Sequence, residues 1–288
     1  MKKYLLVLFA VLLLFTASSQ NSQAADTTTL KIMTINLRHN SDFWEDRFPL
    51  IADEIVRLSP DVIGLQEVEI GVKQSRVLMK LIEERNPALK YNLHERLKYG
   101  AEMFNGEGIA IFSRMPIERK SSIDLEYGRP ALFARIGVSD DIKIDMFNTH
   151  LHHRCEDSGR FLQADKITKL QKKINKGFLT FLTGDMNAID SSSAIGNFME
   201  NGFIDTFKYL YGDRTPDVGN TSPVILSKDN AVQVFRKRID YVFVKIPDAM
   251  KDRVRITDSV VCFKNHDADG LYPSDHLGVM TTFEIKNR

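Results

Sequence analysis

The segment Thr183-Gly184-Asp185-Met186-Asn187 places a carboxylate and a primary amide two residues apart, at the end of an apolar run made of Phe178, Leu179, Phe181 and Leu182. That β-prone run reads as a buried strand stopping at Gly184 and a loop, where binding and catalytic groups tend to collect. If the backbone stays extended there, Asp185 and Asn187 emerge on the same side. A carboxylate so placed can hold a hard cation or take a proton from water, and an amide can donate a hydrogen bond to an oxyanion. The same residue types also favour turns, through hydrogen bonds to their own backbone.

Other strand ends carry comparable groups: Asn36, Glu67, His150 and the pair Asp275-His276. Singly, each reads as well as a turn or surface residue. Together they supply hard oxygen ligands, a base for water and donors for phosphoryl oxygens, which is what metal-assisted phosphate-ester hydrolysis requires.

These residues need strands to hold them, and the hydrophobic pattern provides candidates. Leu30 to Asn36 alternates apolar and polar residues, and Asp61 to Glu67 is a short buried strand. Between them Phe48, Ile51, Ile55 and Leu58 keep one helical face apolar until Pro60. Val77, Leu78, Leu81 and Ile82 mark a second helix. Strands follow at Glu107–Arg114, Arg129–Val138 and Ile142–His150, then a helix from about Ser158 with Phe161, Ile167, Leu170 and Ile174 inward and a lysine face outward. After the strand into Asp185 comes a short helix that Gly202 would cap. Residues 208–237 show no clear period and read as a long loop region. Strands at Arg238–Val244, with Asp240 near its start, at Arg253–Phe263 and after Asp275-His276 complete the chain.

The motifs Ile-Asn36-Leu, Leu-Gln66-Glu67-Val, Asn-Thr-His150-Leu, Thr-Gly-Asp185-Met-Asn187, Ile-Asp240-Tyr-Val-Phe and Ser-Asp275-His276 occur in the order seen in the endonuclease/exonuclease/phosphatase family, whose fold is that of pancreatic deoxyribonuclease. The chain resembles that family over nearly its whole length after the leader. Asn36 followed by Trp44-x-x-Arg47 also looks like a secreted bacterial subgroup. The resemblance implies an α/β fold, a four-layer α/β sandwich of two mostly antiparallel β-sheets packed face to face with helices outside. It further implies Glu67 as the chief ligand of Mg²⁺, or of Mn²⁺ in its place, with Asn36 and Asp275 in or near the metal shell. Asp185 would orient and deprotonate water, Asn187 would hold a phosphoryl oxygen, and His150 and His276 would stabilise the phosphoryl group or protonate the leaving oxygen. Each histidine would have a carboxylate that orients it, Asp240 for His276 and Glu107 for His150. Some DNA-repair members carry an acidic ligand two residues after the first Asn. Arg38 stands there instead, leaving fewer carboxylates for a second metal and offering either a phosphate contact or a surface arginine.

The amino terminus has its own logic. Lys2 and Lys3 precede an unbroken apolar run from Tyr4 to Phe15, and Ser22-Gln23-Ala24 fits a small-x-small cleavage site. Residues 1–24 therefore read as a secretory signal peptide, the run being shorter than the ~20 residues of a spanning helix. Residues 25–288 form the remaining domain. Without the leader, 37 basic residues face 38 acidic ones, a formal charge of −1, so no global field attracts a polyanion. Arg236-Lys237-Arg238 is a short local exception, and Cys155 and Cys262 could pair in an oxidising compartment. The expectation is a monomeric, exported, periplasmic or extracellular hydrolase of phosphate esters with no transmembrane segment after cleavage. The alternatives are a secreted endonuclease acting on DNA or RNA, a non-catalytic binder of phosphate or lipid headgroups, and a surface-interaction module.

Overall fold

A computed structural model describes residues 27–174, 176–227 and 236–287; the leader predicted at 1–24 lies outside them. Strand β1 (Thr27–Asn36), helix α1 (Trp44–Leu58), strand β2 (Val62–Glu69), helix α2 (Gln74–Arg85), and strands β3 (Asn92–Leu97) and β4 (Glu107–Ser113) open the chain. Then come β5 (Ile117–Asp124), β6 (Pro130–Gly137), β7 (Lys143–His150), helix α3 (Asp157–Ile174) and β8 (Leu179–Asp185). Helix α4 (Ser193–Glu200), strand β9 (Ile204–Asp205), helices α5 (Thr206–Tyr211) and α6 (Thr215–Val218), and strands β10 (Asp240–Lys245), β11 (Val254–Cys262) and β12 (Gly278–Lys286) complete it.

Among the described residues the strands form two six-stranded sheets, ordered β11-β12-β1-β2-β4-β3 and β5-β6-β7-β8-β10-β9. Each has one parallel pair, β1 with β2 and β7 with β8, in otherwise antiparallel surroundings. Period-two alternation sorts the side chains into layers. Ile32, Val62, Ile111, Met146, Phe181 and Val242 lie in the core between the sheets. Their neighbours Met33, Ile63 and Phe112 turn outward to meet Phe48, Ile51 and Ile55 of α1 and Leu78 of α2. On the other side Phe147, Leu182 and Phe243 meet Ile167 of α3 and Phe198 of α4. Three cores between four layers make this the expected α/β sandwich. Each large apolar side chain so buried contributes about 1.5–3 kcal/mol.

The parallel pairs determine where chemistry can sit. Asn36 and Glu67 fall at the carboxyl ends of β1 and β2, and His150 pairs in register with Asp185 at the ends of β7 and β8. Asp240, in register with Asp185, starts the antiparallel β10, and Glu107 starts β4. Strand ends from one direction and strand starts from the other therefore share one edge of the sandwich. Beneath that edge a polar clamp joins the sheets: Gln66 Nε2 donates to Asn148 Oδ1 at 2.7 Å, and Asn148 Nδ2 donates to the carbonyls of Leu65 and Ala110, each at 2.9 Å. Gly64 permits this approach, because a Cβ there would lie 2.1 Å from Thr183 Oγ1.

Several elements depart from the sequence reading. Strands β3 and β5 have no counterpart in it, since their sequences NLHERL and IERKSSID carry polar and charged residues along sheet edges, where such residues block edge-to-edge pairing and erase the apolar alternation. Phe161 faces solvent at 37% exposure, and α3 buries Gln163, Ala164 and Gln171 beside Ile167 instead. The predicted loop over 208–237 contains the end of α5, a 3-10 turn at Gly212–Arg214 and α6; residues 228–235 lie outside the described residues. Cys155 and Cys262 are both free thiols.

Candidate active site

Glu67 sits at φ +50°, at an irregularity in the β2–β4 register between Leu65 and Val68. A non-glycine residue in that region costs about 1–3 kcal/mol, a cost that recurs where geometry serves a function. Glu67 Oε1 accepts from Asn36 Nδ2 at 3.0 Å, and the same nitrogen donates to Asp185 Oδ2 at 3.1 Å. Asn36 Oδ1 is taken by the Arg38 backbone N–H at 2.9 Å. Since that N–H requires an acceptor, the amide orientation is settled. As placed, Asn36 bridges the two acids as a donor.

Asp185 Oδ2 is the meeting point. Besides Asn36 it faces His150 Nε2 at 3.5 Å and His276 Nε2 at 3.9 Å, while Asp185 Oδ1 accepts from the Asn187 backbone N–H at 2.9 Å. That last bond is a turn: Asn187 has φ +46°, so the backbone does not stay extended beyond Asp185, and the turn reading and the functional reading hold together. Asn187 Nδ2 spends its hydrogens on His150 Nε2 and the Leu151 carbonyl, both at 3.0 Å. As placed, Asn187 has no amide hydrogen left for a phosphoryl oxygen and serves to fix His150. His150 Nε2 must accept, so Nδ1 carries the proton and faces Glu107 Oε1 at 3.5 Å.

The two histidines are held in opposite protonation states. Burial and the nearby Arg129 charge push His150 well below the usual imidazole range. Burial also acts to lower His276, but Asp240 and Asp185 outweigh it and hold that ring well above the usual range. His276 Nδ1 lies 2.9 Å from Asp240 Oδ2, which Thr221 Oγ1 also approaches at 2.6 Å. Burial pushes Asp185 up to about 7, with His276 opposing the rise and Asp240 adding to it. Burial and Glu107 act to raise Glu67, but its neighbours His150 and His276 and the Asn36 hydrogen bond outweigh them and leave it below the ordinary range.

These groups open into a cleft of about 500 Å³. Of the residues singled out from sequence, Arg38, Glu67, Glu107, His150, Asp185, Asn187, Asp275 and His276 line it. Asn36 and Asp240 support it from behind, both fully buried. Arg38 reaches in to meet Asp275 Oδ2 at 3.2 Å. Arg238 does not belong: it is buried between Asp205 and Asp190, while Arg236 and Lys237 of the predicted basic cluster are exposed outside the cleft.

Lys98 and Arg129 line the cleft without having been singled out from sequence. Glu107 Oε1 lies 2.5 Å from Lys98 Nζ and 3.6 Å from Arg129 Nη1. Two buried arginines make an instructive contrast. Arg47 uses its N–H groups on the carbonyls of Leu37, Arg38, Ser41, Asp42 and Pro273, which welds the loop bearing Arg38 to the turn before Asp275. Arg129 hydrogen-bonds His153 Nδ1 through Nη2 at 3.1 Å, while its Nε and Nη1 have no hydrogen-bond partner. The first is a structural clamp, and the second stands in the cleft wall beside Glu107 with hydrogen-bonding capacity unspent.

The donor set suits a hard divalent cation. Ligand atoms of Glu67, His150 and Asp185 lie within 4.8 Å of one another, and Asp275 borders the same cleft. Burial leaves Asp185 short of positive charge, which such an ion would supply.

The family model for the Endonuclease/Exonuclease/phosphatase family matches residues 33–276. The chain belongs to that family. Among solved structures, an endonuclease/exonuclease/phosphatase family protein from Bacteroides thetaiotaomicron is 20% identical with a TM-score of 0.69, covering 91% of this chain and 99% of that one. A mannosyl-6-phosphatase from Bacteroides thetaiotaomicron VPI-5482 is 21% identical with a TM-score of 0.67, covering 88% and 99%. D. rerio TDP2 complexed with single strand DNA product is 19% identical with a TM-score of 0.67, covering 89% and 99%. At such identities these likenesses speak to fold. None of the curated proteins matches the chain. As a member of the endonuclease/exonuclease/phosphatase family, the chain is a metal-dependent phosphoric ester hydrolase.

Proposed function

We propose that this protein is exported and hydrolyses small phosphate esters with Mg²⁺, or Mn²⁺, held chiefly by Glu67 with Asp275 nearby. The observation that carries the reading is the position of Asp185 Oδ2, flanked by Asn36, His150 and His276 at the bottom of an open cleft. The bound cation supplies Lewis-acid stabilisation of the phosphoryl charge.

The residues provide the rest. Asp185 takes the proton from the attacking water, and its carboxylate is oriented by the Asn36 amide and the Asn187 N–H. The charged His276, backed by Asp240, donates its Nε2 proton to the leaving oxygen as the P–O bond breaks. Arg38 and the unspent N–H groups of Arg129 hold phosphoryl oxygens. Neutral His150, fixed by Asn187, keeps a further acid out of the site.

Two features favour a small ester over long nucleic acid. The formal charge after residue 24 is −1, and Arg238 is turned inward. The predicted leader supports export, to the periplasm or beyond. The test is a product screen of purified protein with Mg²⁺ on sugar phosphates, inositol phosphates, sphingomyelin, RNA and DNA. Phosphate release from a small ester supports the reading, and efficient cleavage of DNA alone replaces it with the endonuclease alternative.

A further inference from the structure

Glu67 lies where the β2–β4 ladder breaks, and both sides of the break are pinned. On the near side Gln66 is tied to Asn148 across the sheets. On the far side the ladder resumes with Glu69 opposite Glu107. There the Glu69 backbone N–H donates to Gln74 Oε1 at 2.8 Å, and Gln74 Nε2 donates to the His39 carbonyl at 3.0 Å.

The Glu69 carboxylate is buried in the same knot. Its Oε2 stands 2.5 Å from His39 Nε2, and its Oε1 accepts from the Gly71 backbone N–H at 2.8 Å. Gly106, the neighbour of Glu107, leaves room for it, because a Cβ there would lie 2.0 Å from Glu69 Oε1. His39, Glu69 and Gln74 stand outside the lining of the cleft, so contact with substrate does not account for them. Nor does stability, since a buried carboxylate recovers through pairing little beyond the desolvation it costs. What the knot adds is geometry.

That geometry belongs to the neighbouring backbone. The His39 N–H donates to the Glu67 carbonyl at 2.9 Å. Arg38, His39 and Glu67 have φ of +59°, +51° and +50°, values that non-glycine residues keep only where their surroundings impose them. Released, the break would relax toward a regular ladder, and Glu67 would turn its carboxylate away from Asn36 and Asp185. We propose that His39 and Glu69 are positioning residues that hold Glu67 for the divalent cation. The inference rests on the reading of Glu67 as the chief ligand of that cation.

Calorimetric titration of the metal-free protein with Mn²⁺ alone is the test. His39→Ala and Glu69→Ala each weaken Mn²⁺ binding by about 10–100-fold, as loss of groups that orient metal ligands commonly does. His39→Gln, which keeps an N–H to offer Glu69, restores most of the affinity. In hydrolysis assays the Mg²⁺ concentration for half-maximal rate rises to match, while kcat at saturating Mg²⁺ stays within a few-fold of wild type. His39→Ala, in a partly exposed loop, carries the test should Glu69→Ala not fold. Unchanged Mn²⁺ affinity in folded His39→Ala, or a loss of kcat that saturating Mg²⁺ does not restore, overturns the positioning role. Glu67→Gln is the control. If it weakens Mn²⁺ binding and His39→Ala does not, only this inference falls; if it binds Mn²⁺ like wild type, the reading of Glu67 as chief ligand falls as well.

Discussion

His276 Nδ1 lies 2.9 Å from Asp240 Oδ2, a charge-assisted hydrogen bond, whereas His150 Nδ1 stands 3.5 Å from Glu107 Oε1, whose charge is drawn off by Lys98 and Arg129. The two histidines look alike in sequence, yet one is built to stay protonated and the other to stay neutral.

Asp240→Asn should therefore act through His276. Losing the buried carboxylate lets burial pull the imidazolium down, and turnover falls by about 10²-fold or more. If the pair acts as one unit, the double variant Asp240→Asn/His276→Gln is little slower than either single variant. Additive losses in steady-state rates would show that the two act independently.

The depressed His150 has a consequence for stability. Its folded value lies below the unfolded one of about 6.5. As pH falls through 6.5 the unfolded chain gains a proton that the folded chain refuses, so stability drops by up to about 1.4 kcal/mol per pH unit. His276 runs the other way: its contribution is complete below 6.5 and is lost as pH rises through its raised value. Urea unfolding in EDTA should therefore show that His150→Gln loses less stability than wild type between pH 6.5 and 5, while His276→Gln loses less above pH 7. Parallel curves for all three proteins would contradict these assignments.

Arg47 is buried to 0% exposure, and burial brings its guanidinium down only to about 10, so it remains charged at neutral pH. Arg47→Met strands carbonyls of Leu37, Ser41, Asp42 and Pro273 without a donor. At about 1–3 kcal/mol per lost buried partner, the variant should be destabilised by more than about 3 kcal/mol. A urea midpoint equal to that of wild type would remove the clamp from the account.

For the best substrate, kcat/KM should fall only weakly between low and physiological salt, because a small ester carries few charges and releases few counterions on binding, while a long polyanion would displace many. A steep decline together with efficient cleavage of plasmid DNA would identify a nuclease.

Much of this site was legible in the sequence because polar residues interrupt apolar strands at Asn36, Glu67, His150 and Asp185, and a strand end is easy to see. What the sequence hid is tertiary. Lys98 follows an edge strand whose charges mask its period, and Arg129 becomes recognisable only when its unsatisfied N–H groups are seen beside Glu107. The orientations of the Asn36 and Asn187 amides were equally out of reach, since each is fixed by a partner that only the folded backbone supplies. Gln66 and Asn148, which join the sheets beneath the cleft, carry no local mark of that task.

The central claim is that Asp185 works with a cation held at Glu67 to hydrolyse a phosphate ester. Phosphate release should be measured for wild type, Glu67→Gln and Asp185→Asn, each in EDTA and across a Mg²⁺ titration. The account predicts turnover in wild type only with Mg²⁺, a much higher Mg²⁺ requirement in Glu67→Gln, and a loss of about 10²-fold or more in Asp185→Asn that no Mg²⁺ concentration restores. Wild-type turnover undiminished by EDTA, or an Asp185→Asn variant within a few-fold of wild type, would contradict it.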